Sequence, residues 1–233
     1  MAIKSVFWPD PEITEGALSV SGDAHRHLKV SRTELGERIE VFDGRGRVWS
    51  GLVLSVNKRE TRIHVEESRQ EPAPPVELIL AQALIKNTAF EWVLEKAVEI
   101  GVTRIIPFRA LRSNVRGGER EARWQRIIVE AAKQSKCYHL PHLDDVTDLE
   151  TVLQIEVPSK ILFAERNGGS LKSAVTGSPV LYIVGPEGGW TDEELEAARR
   201  SDARPVHLGS NVMRAETAAV VGGALICYEL GVL

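Results

Sequence analysis

Three prolines crowd into Pro72-Ala73-Pro74-Pro75, and the hydrophobic pattern differs on their two sides. Proline has no amide hydrogen to give a sheet ladder, and its ring breaks a helix interior. No single element can therefore run through Ser68 to Pro75, and the chain is expected to fold as two domains, residues 1–70 and 71–233.

Before the break lie short alternating segments, Ile3 to Phe7, Arg38 to Phe42, Val48 to Val56 and Thr61 to Val65. Turn signals at Asp43-Gly44-Arg45-Gly46 and Asn57-Lys58 separate them, which predicts a small antiparallel sheet or barrel. After the break, apolar runs alternate with helical periods. Val76 to Leu84 suits a buried strand, and Thr88-x-x-Glu91 reads as a capping box opening a helix whose Phe90, Val93, Leu94, Ala97 and Val98 share one face. Gly101 ends that helix. Strands follow at Arg104 to Pro107, Lys160 to Ala164, Val180 to Val184 and Pro205 to Leu208, and helices at Glu119 to Lys136, Thr191 to Arg200 and from Ala215 onward. Such alternation predicts an α/β domain with a mostly parallel sheet covered on both faces.

Of the 233 residues 43% are hydrophobic, and 29 Lys+Arg against 33 Asp+Glu leave a formal charge of −4. The longest uncharged run, Ser173 to Pro186, is too short to span a bilayer and is interrupted by Gly and Pro. Cys137 and Cys227 stand far apart with no CxxC, which excludes a disulfide framework or cysteine zinc site and points to a cytoplasmic home. His25 and His27 read as surface or barrel-core residues rather than metal ligands, since no third ligand lies at usable spacing, and no metal is expected. Charge is segregated. Residues 104–136 hold nine Lys/Arg against three acids, whereas residues 137–233 hold seven against 14. An acidic whole therefore leaves room for a polyanionic partner, because binding follows the field within about 8 Å. A solvated helix face would show the same excess.

In an open parallel sheet, ligands gather beyond the carboxyl ends of the strands. Three such edges stand out: Phe163 to Arg166, Gly185 to Trp190, and Leu208 to Arg214. In the middle edge, Val180 to Val184 runs into Gly185-Pro186-Glu187-Gly188-Gly189, and Thr191 with Glu194 makes a capping box. The spacing is neither GxGxxG nor GxxxxGK[ST], and the helix opens on Asp192-Glu193-Glu194, so a phosphate would meet carboxylates. A tight turn alone would also use these glycines. A ligand with adenosine, no phosphate and a positive charge suits Glu165 and Glu187 nearby, and S-adenosylmethionine, a sulfonium, is such a ligand. In the third edge Gly209 follows its strand directly, and the helix behind is built of Ala215, Ala218, Ala219, Gly222, Gly223 and Ala224. Two interior glycines cost roughly 1 kcal/mol each relative to alanine. Core packing accounts for the alanines but not for Arg214 and Glu216 at the start of this helix.

These residues resemble the RsmE family of SPOUT-class methyltransferases, which methylate N3 of a uridine in 16S ribosomal RNA. The matching blocks are Ile183 to Gly189 and Leu208-Gly209-x-x-Val212-Met213-Arg214-x-Glu216-Thr217-Ala218, in the family's order and spacing. Gln82 to Lys86, Glu95 to Val102, His27 to Arg32 and Val41 to Gly44 extend the resemblance over nearly the whole chain. Two positions depart from the pattern: Ser31, where an aliphatic residue usually precedes the arginine, and Cys137, where an arginine is common.

The resemblance implies a PUA-like RNA-binding β-barrel, then a SPOUT-type parallel sheet with a deep trefoil knot, working as a homodimer on ribosomal RNA or the small subunit. By the same resemblance Phe163, Glu165, Val184, Gly185, Glu187, Gly188, Leu208, Gly209, Val212, Met213 and Ala218 would hold the cofactor. Arg214 is expected to hold the uracil oxygens, with Glu216 orienting it or taking the N3 proton. RNA contacts are expected from Arg26, Lys29 and Arg32 on the barrel and from Arg112, Arg116 and Lys136 beyond it. Two other readings remain open at this level: a non-catalytic RNA-binding or assembly factor with a vestigial pocket, and an enzyme using another adenosine-bearing ligand on a small substrate.

Overall fold

The proline-rich break lies between two sheets of different construction. The structure, a computed structural model, describes residues 3–113, 121–165 and 168–233. The first sheet uses β1 (Lys4–Phe7), β2 (Ile13–Thr14), β3 (Ala17–Ser21), β4 (Arg38–Phe42), β5 (Arg47–Val56) and β6 (Glu60–Gln70), with helix α1 (Gly22–Val30) between β3 and β4. Its order is β1-β4-β5-β6-β3-β2, antiparallel except for the parallel β1/β4 pair. Alternate residues of these strands, Val6, Leu18, Val20, Ile39, Val41, Trp49, Val53 and Ile63, make one core with Leu28 of α1. Helix α1 escapes periodicity because only His25 and Leu28 are buried on it. His25 is satisfied there, its Nδ1 lying 2.8 Å from Thr61 Oγ1. Strand β6 runs to Gln70, past the expected start of the linker, because Arg69 and Gln70 still pair with Val48 and Arg47.

The second sheet follows β7 (Leu78–Ala83), α2 (Asn87–Ile100), β8 (Arg104–Arg109), α3 (Glu121–Ser135), β9 (His142–Leu143), β10 (Thr147–Asp148), α4 (Leu149–Leu153), β11 (Ser159–Phe163), α5 (Leu171–Ala174), β12 (Val180–Val184), α6 (Asp192–Arg200), β13 (Arg204–Val206) and α7 (Ala215–Glu229). Every pairing is parallel, in the order β10-β8-β7-β12-β11-β13 with β9 also on β8. Strands β7 and β12 are buried along their whole length, as a sheet covered on both faces requires. Ile79, Ala81, Leu181 and Ile183 face a core built with α4 and α6, while α7 packs on β7 and β12 from the other side and also meets α2.

The chain divides into two compact units, residues 1–73 with 132–140, and residues 74–131 with 141–233. The inclusion of 132–140 in the first unit has no signature in local pattern. It rests on Tyr138, whose hydroxyl donates to the buried Glu40 carboxylate at 2.8 Å and whose ring meets Phe42 edge-on at 5.6 Å. Arg69 donates to the same carboxylate at 3.0 Å, and Lys136 lies 3.7 Å from it. Burial raises the Glu40 carboxyl, but these hydrogen bonds and positive charges outweigh it and hold the group below the ordinary carboxylate range. Among the described residues no helix is long and apolar enough to cross a membrane.

Candidate functional site

Parallel register brings the three chosen edges together. Phe163 of β11 pairs with both Val184 of β12 and Val206 of β13, and Val184 pairs with Gln82 of β7, so these strands end level. The segments that leave them, from 164, 185 and 207, therefore emerge side by side. Between them and the start of α2 lies a cavity of about 1100 Å³. Its walls are Phe163 to Glu165, Val184 to Glu187 with Gly189 and Trp190, Leu208, Gly209 and Asn211 to Ala218, and Lys86, Thr88, Ala89 and Trp92.

Each wall is held by identifiable contacts. The Trp190 indole N–H donates to the Phe163 carbonyl at 2.8 Å, tying the β12 loop to the end of β11. Its ring lies parallel to Phe108 with centroids 6.2 Å apart, and against Gly185, where an added Cβ would sit 2.7 Å from the indole. The capping box at α6 forms as expected: Glu194 N–H donates to Thr191 Oγ1 at 3.2 Å, and Thr191 N–H to Glu194 Oε2 at 2.9 Å. Gly209 takes φ +129°, a conformation that disfavours side chains, and it leaves main chain facing the cavity.

The glycine pair in α7 has a steric cause. A Cβ on Gly222 would lie 2.2 Å from the Phe163 ring, and one on Gly223 would lie 2.8 Å from the Tyr182 hydroxyl. Phe163 and Tyr182 meet at 6.0 Å and 63°, so the helix approaches a two-ring platform that leaves no space for a methyl group. One of those rings, Phe163, is itself a cavity wall.

Of the residues expected at a cofactor, ten line the cavity: Phe163, Glu165, Val184, Gly185, Glu187, Leu208, Gly209, Val212, Met213 and Ala218. Gly188 does not; its Cα is turned to Arg112, whose Cβ would be 2.9 Å from a side-chain carbon there. Arg214 and Glu216 both line the cavity, Arg214 Nη1 lying 4.0 Å from Glu216 Oε1, with the arginine side chain 86% exposed and the glutamate 19%. Among the described residues, three carboxylates (Glu165, Glu187, Glu216) face two cations (Lys86, Arg214), a negative balance that suits a cationic ligand. Lys86 and Glu187 approach at 3.9 Å. The α2 wall and the support from Trp190 went unread in the sequence, because Lys86 to Trp92 reach the cavity only through tertiary packing.

The expected RNA contacts are distributed differently. Arg26 and Lys29 are exposed on α1, Arg26 paired with Asp23 at 2.9 Å, and Arg32 is exposed just beyond that helix with φ +50°. Lys136 is exposed in the same unit, beside Glu40. Arg112 lies in the other unit and donates to the Gly188 and Trp190 carbonyls. Arg116 lies outside the described residues. Among the described residues no three of His, Cys, Asp and Glu come together to hold a metal ion.

A parallel sheet with a strand-end cavity, joined to a small β-rich unit, matches a class already known. A family model for an RNA methyltransferase domain covers residues 72–226, and one for an RNA methyltransferase PUA domain covers residues 20–66. Similar chains include the ribosomal RNA small subunit methyltransferase E of Synechocystis, 30% identical over 97% of this chain and 77% of that one. The Bacillus subtilis protein of the same name is 29% identical over 92% of this chain and 91% of its own length. The Neisseria gonorrhoeae enzyme of that name, in a crystal structure bound to S-adenosyl methionine, superposes with TM-score 0.91 at 26% identity, over 97% of this chain and 98% of that one. The chain belongs to the ribosomal RNA small subunit methyltransferase E family.

Proposed function

We propose that this protein transfers a methyl group from S-adenosylmethionine to N3 of a uridine in the 16S RNA of the small ribosomal subunit. The observation that carries this reading is the meeting of three strand ends in one cavity, with Arg214 and Glu216 on its wall. The residues present fit the donor: Phe163, Val184, Leu208 and Met213 offer apolar surface, Gly185 and Gly209 offer main-chain groups, and the carboxylate excess tolerates a positive charge. The donor supplies a methyl carried on a sulfonium.

What the chain must contribute is alignment and exclusion of water, since methyl transfer is an in-line displacement. Uridine N3 lies on the Watson–Crick edge and bears a proton, so the base is taken unpaired. Arg214 presents fixed paired donors to the uracil oxygens as N3 loses its proton. Glu216 either orients that guanidinium or accepts the proton. Arg26, Lys29, Arg32 and Lys136 of the barrel unit serve as phosphate contacts, and Arg116 of the C-terminal domain serves alongside them. A homodimer, a trefoil knot through the C-terminal loops and a cytoplasmic location belong to the same reading.

The test is methyl transfer from labelled donor to small-subunit RNA, supplied both naked and as assembled subunits, with mass spectrometry of the nucleosides released. The expected product is 3-methyluridine from one of the two substrates. Label on another nucleoside, or no label on either substrate, would remove the assignment.

A further inference from the structure

Beyond β8, residues 110–113 run beside the loop of residues 186–191, and two side chains fasten the two segments together. The buried Glu194 carboxylate, whose Oε2 closes the α6 capping box, accepts the Leu111 N–H on Oε1 at 2.9 Å. From the other direction Arg112 Nη1 donates to the Gly188 carbonyl at 3.2 Å and the Trp190 carbonyl at 3.1 Å. Gly188 permits this approach because it has no Cβ. Trp190 in turn holds the Phe163 carbonyl through its indole. The contacts thus run from Arg112 through the loop backbone to the rear of the cavity wall.

We propose that Arg112 is a positioning residue of the methyl-donor pocket rather than a phosphate contact. Its guanidinium fixes Gly188 to Trp190 in the conformation that places Glu187, Gly189 and Trp190 on the cavity wall, and Glu194 anchors the opposite end of the same clasp. Arg112 touches neither donor nor RNA in this role. The inference rests on the donor-pocket reading above.

Sign separates this role from simple electrostatics. Removing a positive charge near the cavity would by itself tighten binding of a cationic donor, whereas releasing the loop weakens it. Calorimetry with S-adenosylmethionine and no RNA is therefore the first measurement, on wild type, Arg112→Ala and Arg112→Lys. The second is the split between donor KM and kcat at saturating RNA, and the third is the salt dependence of RNA binding. Arg112→Ala is expected to raise the donor Kd and KM about fivefold, as loss of two charge-assisted bonds to an exposed loop would do. Its kcat at saturating donor should stay within about twofold of wild type, and its salt slope should be unchanged. Arg112→Lys, which keeps a charged donor at the same place, should recover most of the affinity. The proposal is overturned if donor affinity is unaltered and the slope of log K against log salt falls by about 0.7, the mark of one lost phosphate contact on a single strand. It is also overturned if only the folded fraction drops, lowering stoichiometry and kcat with Kd fixed. Wild-type protein that fails to bind the donor at all would overturn the pocket reading itself, and the clasp with it.

Discussion

Replacing Gly222 with alanine sets two known effects against each other. Alanine in a helix interior is favoured over glycine by about 1 kcal/mol. Against this, the new methyl carbon would lie 2.2 Å from Phe163 Cε2 and 2.5 Å from Cζ, where carbon atoms prefer roughly 3.5–4.0 Å. The ring must retreat by about 1.5 Å to relieve the contact. Tyr182 packs against Phe163 on one side and the strand holds its base, so the open direction is the cavity. Overpacking of this kind costs about 1–3 kcal/mol, which leaves a net loss of about 0–2 kcal/mol after the helix gain. A ring displaced into the donor space forfeits further contact, and about 1.4 kcal/mol of it is tenfold in Kd. Urea unfolding should therefore show Gly222→Ala no more stable than wild type, and calorimetry should show donor affinity lowered about tenfold. Adding Phe163→Leu, which shortens the ring side, should return stability to the Gly222→Ala variant. An alanine variant that is about 1 kcal/mol more stable with unchanged donor affinity would mean that the Phe163 ring does not limit the approach of α7.

Arg214→Ala should abolish methyl transfer while the donor Kd stays within about twofold, because the side chain is mostly solvent-exposed and faces the acceptor base in the proposed mechanism. Substantial remaining turnover would remove its catalytic role. Tyr138→Phe strips a donor from the buried Glu40 carboxylate and should cost about 1–3 kcal/mol in urea unfolding. The same pair sets a pH profile. Burial, together with its hydrogen bond to Glu40, pushes the Tyr138 phenol from 10.0 up to about 12, so its contribution is complete below pH 10.0 and is lost as pH rises toward about 12. The Glu40 carboxyl is held low, so its contribution is present above the ordinary carboxylate range and is lost as acid protonates it. The variant should show a smaller alkaline decline; an identical decline in both proteins would contradict the assignment.

What could be read from the chain alone follows from how local each signal is. Strand β12 and the Thr191/Glu194 cap were legible because a run of five apolar residues and a four-residue motif specify themselves. The similar Thr88-x-x-Glu91 motif misled: α2 starts two residues earlier, with Lys86 as its N-cap and no side-chain cap, and Glu91 is instead drawn to Arg123, Nε to Oε1, at 2.6 Å. A competing cation elsewhere in the fold cannot be seen in a four-residue window. Strand β3 was missed because its alternation lasts only five residues, and helix α1 because only His25 and Leu28 of its nine residues are buried, too few to mark a helical period. The strand-end loops could be chosen from topology, yet their union in one cavity depends on the register of β11, β12 and β13, which no single segment encodes. Gly222 and Gly223 looked like a cost without a cause, and the cause is a pair of rings on strands far away in sequence. Arg112 looked like one more member of a basic stretch until its carbonyl partners were visible.

The most direct measurement is a crystal structure of the protein grown with S-adenosylmethionine. Donor density is expected in contact with Phe163, Gly185 and Gly209, with the methyl carbon directed to the side where Arg214 stands. Density at any other place, or these turns closed around side chains with the donor absent at saturating concentration, would contradict that placement.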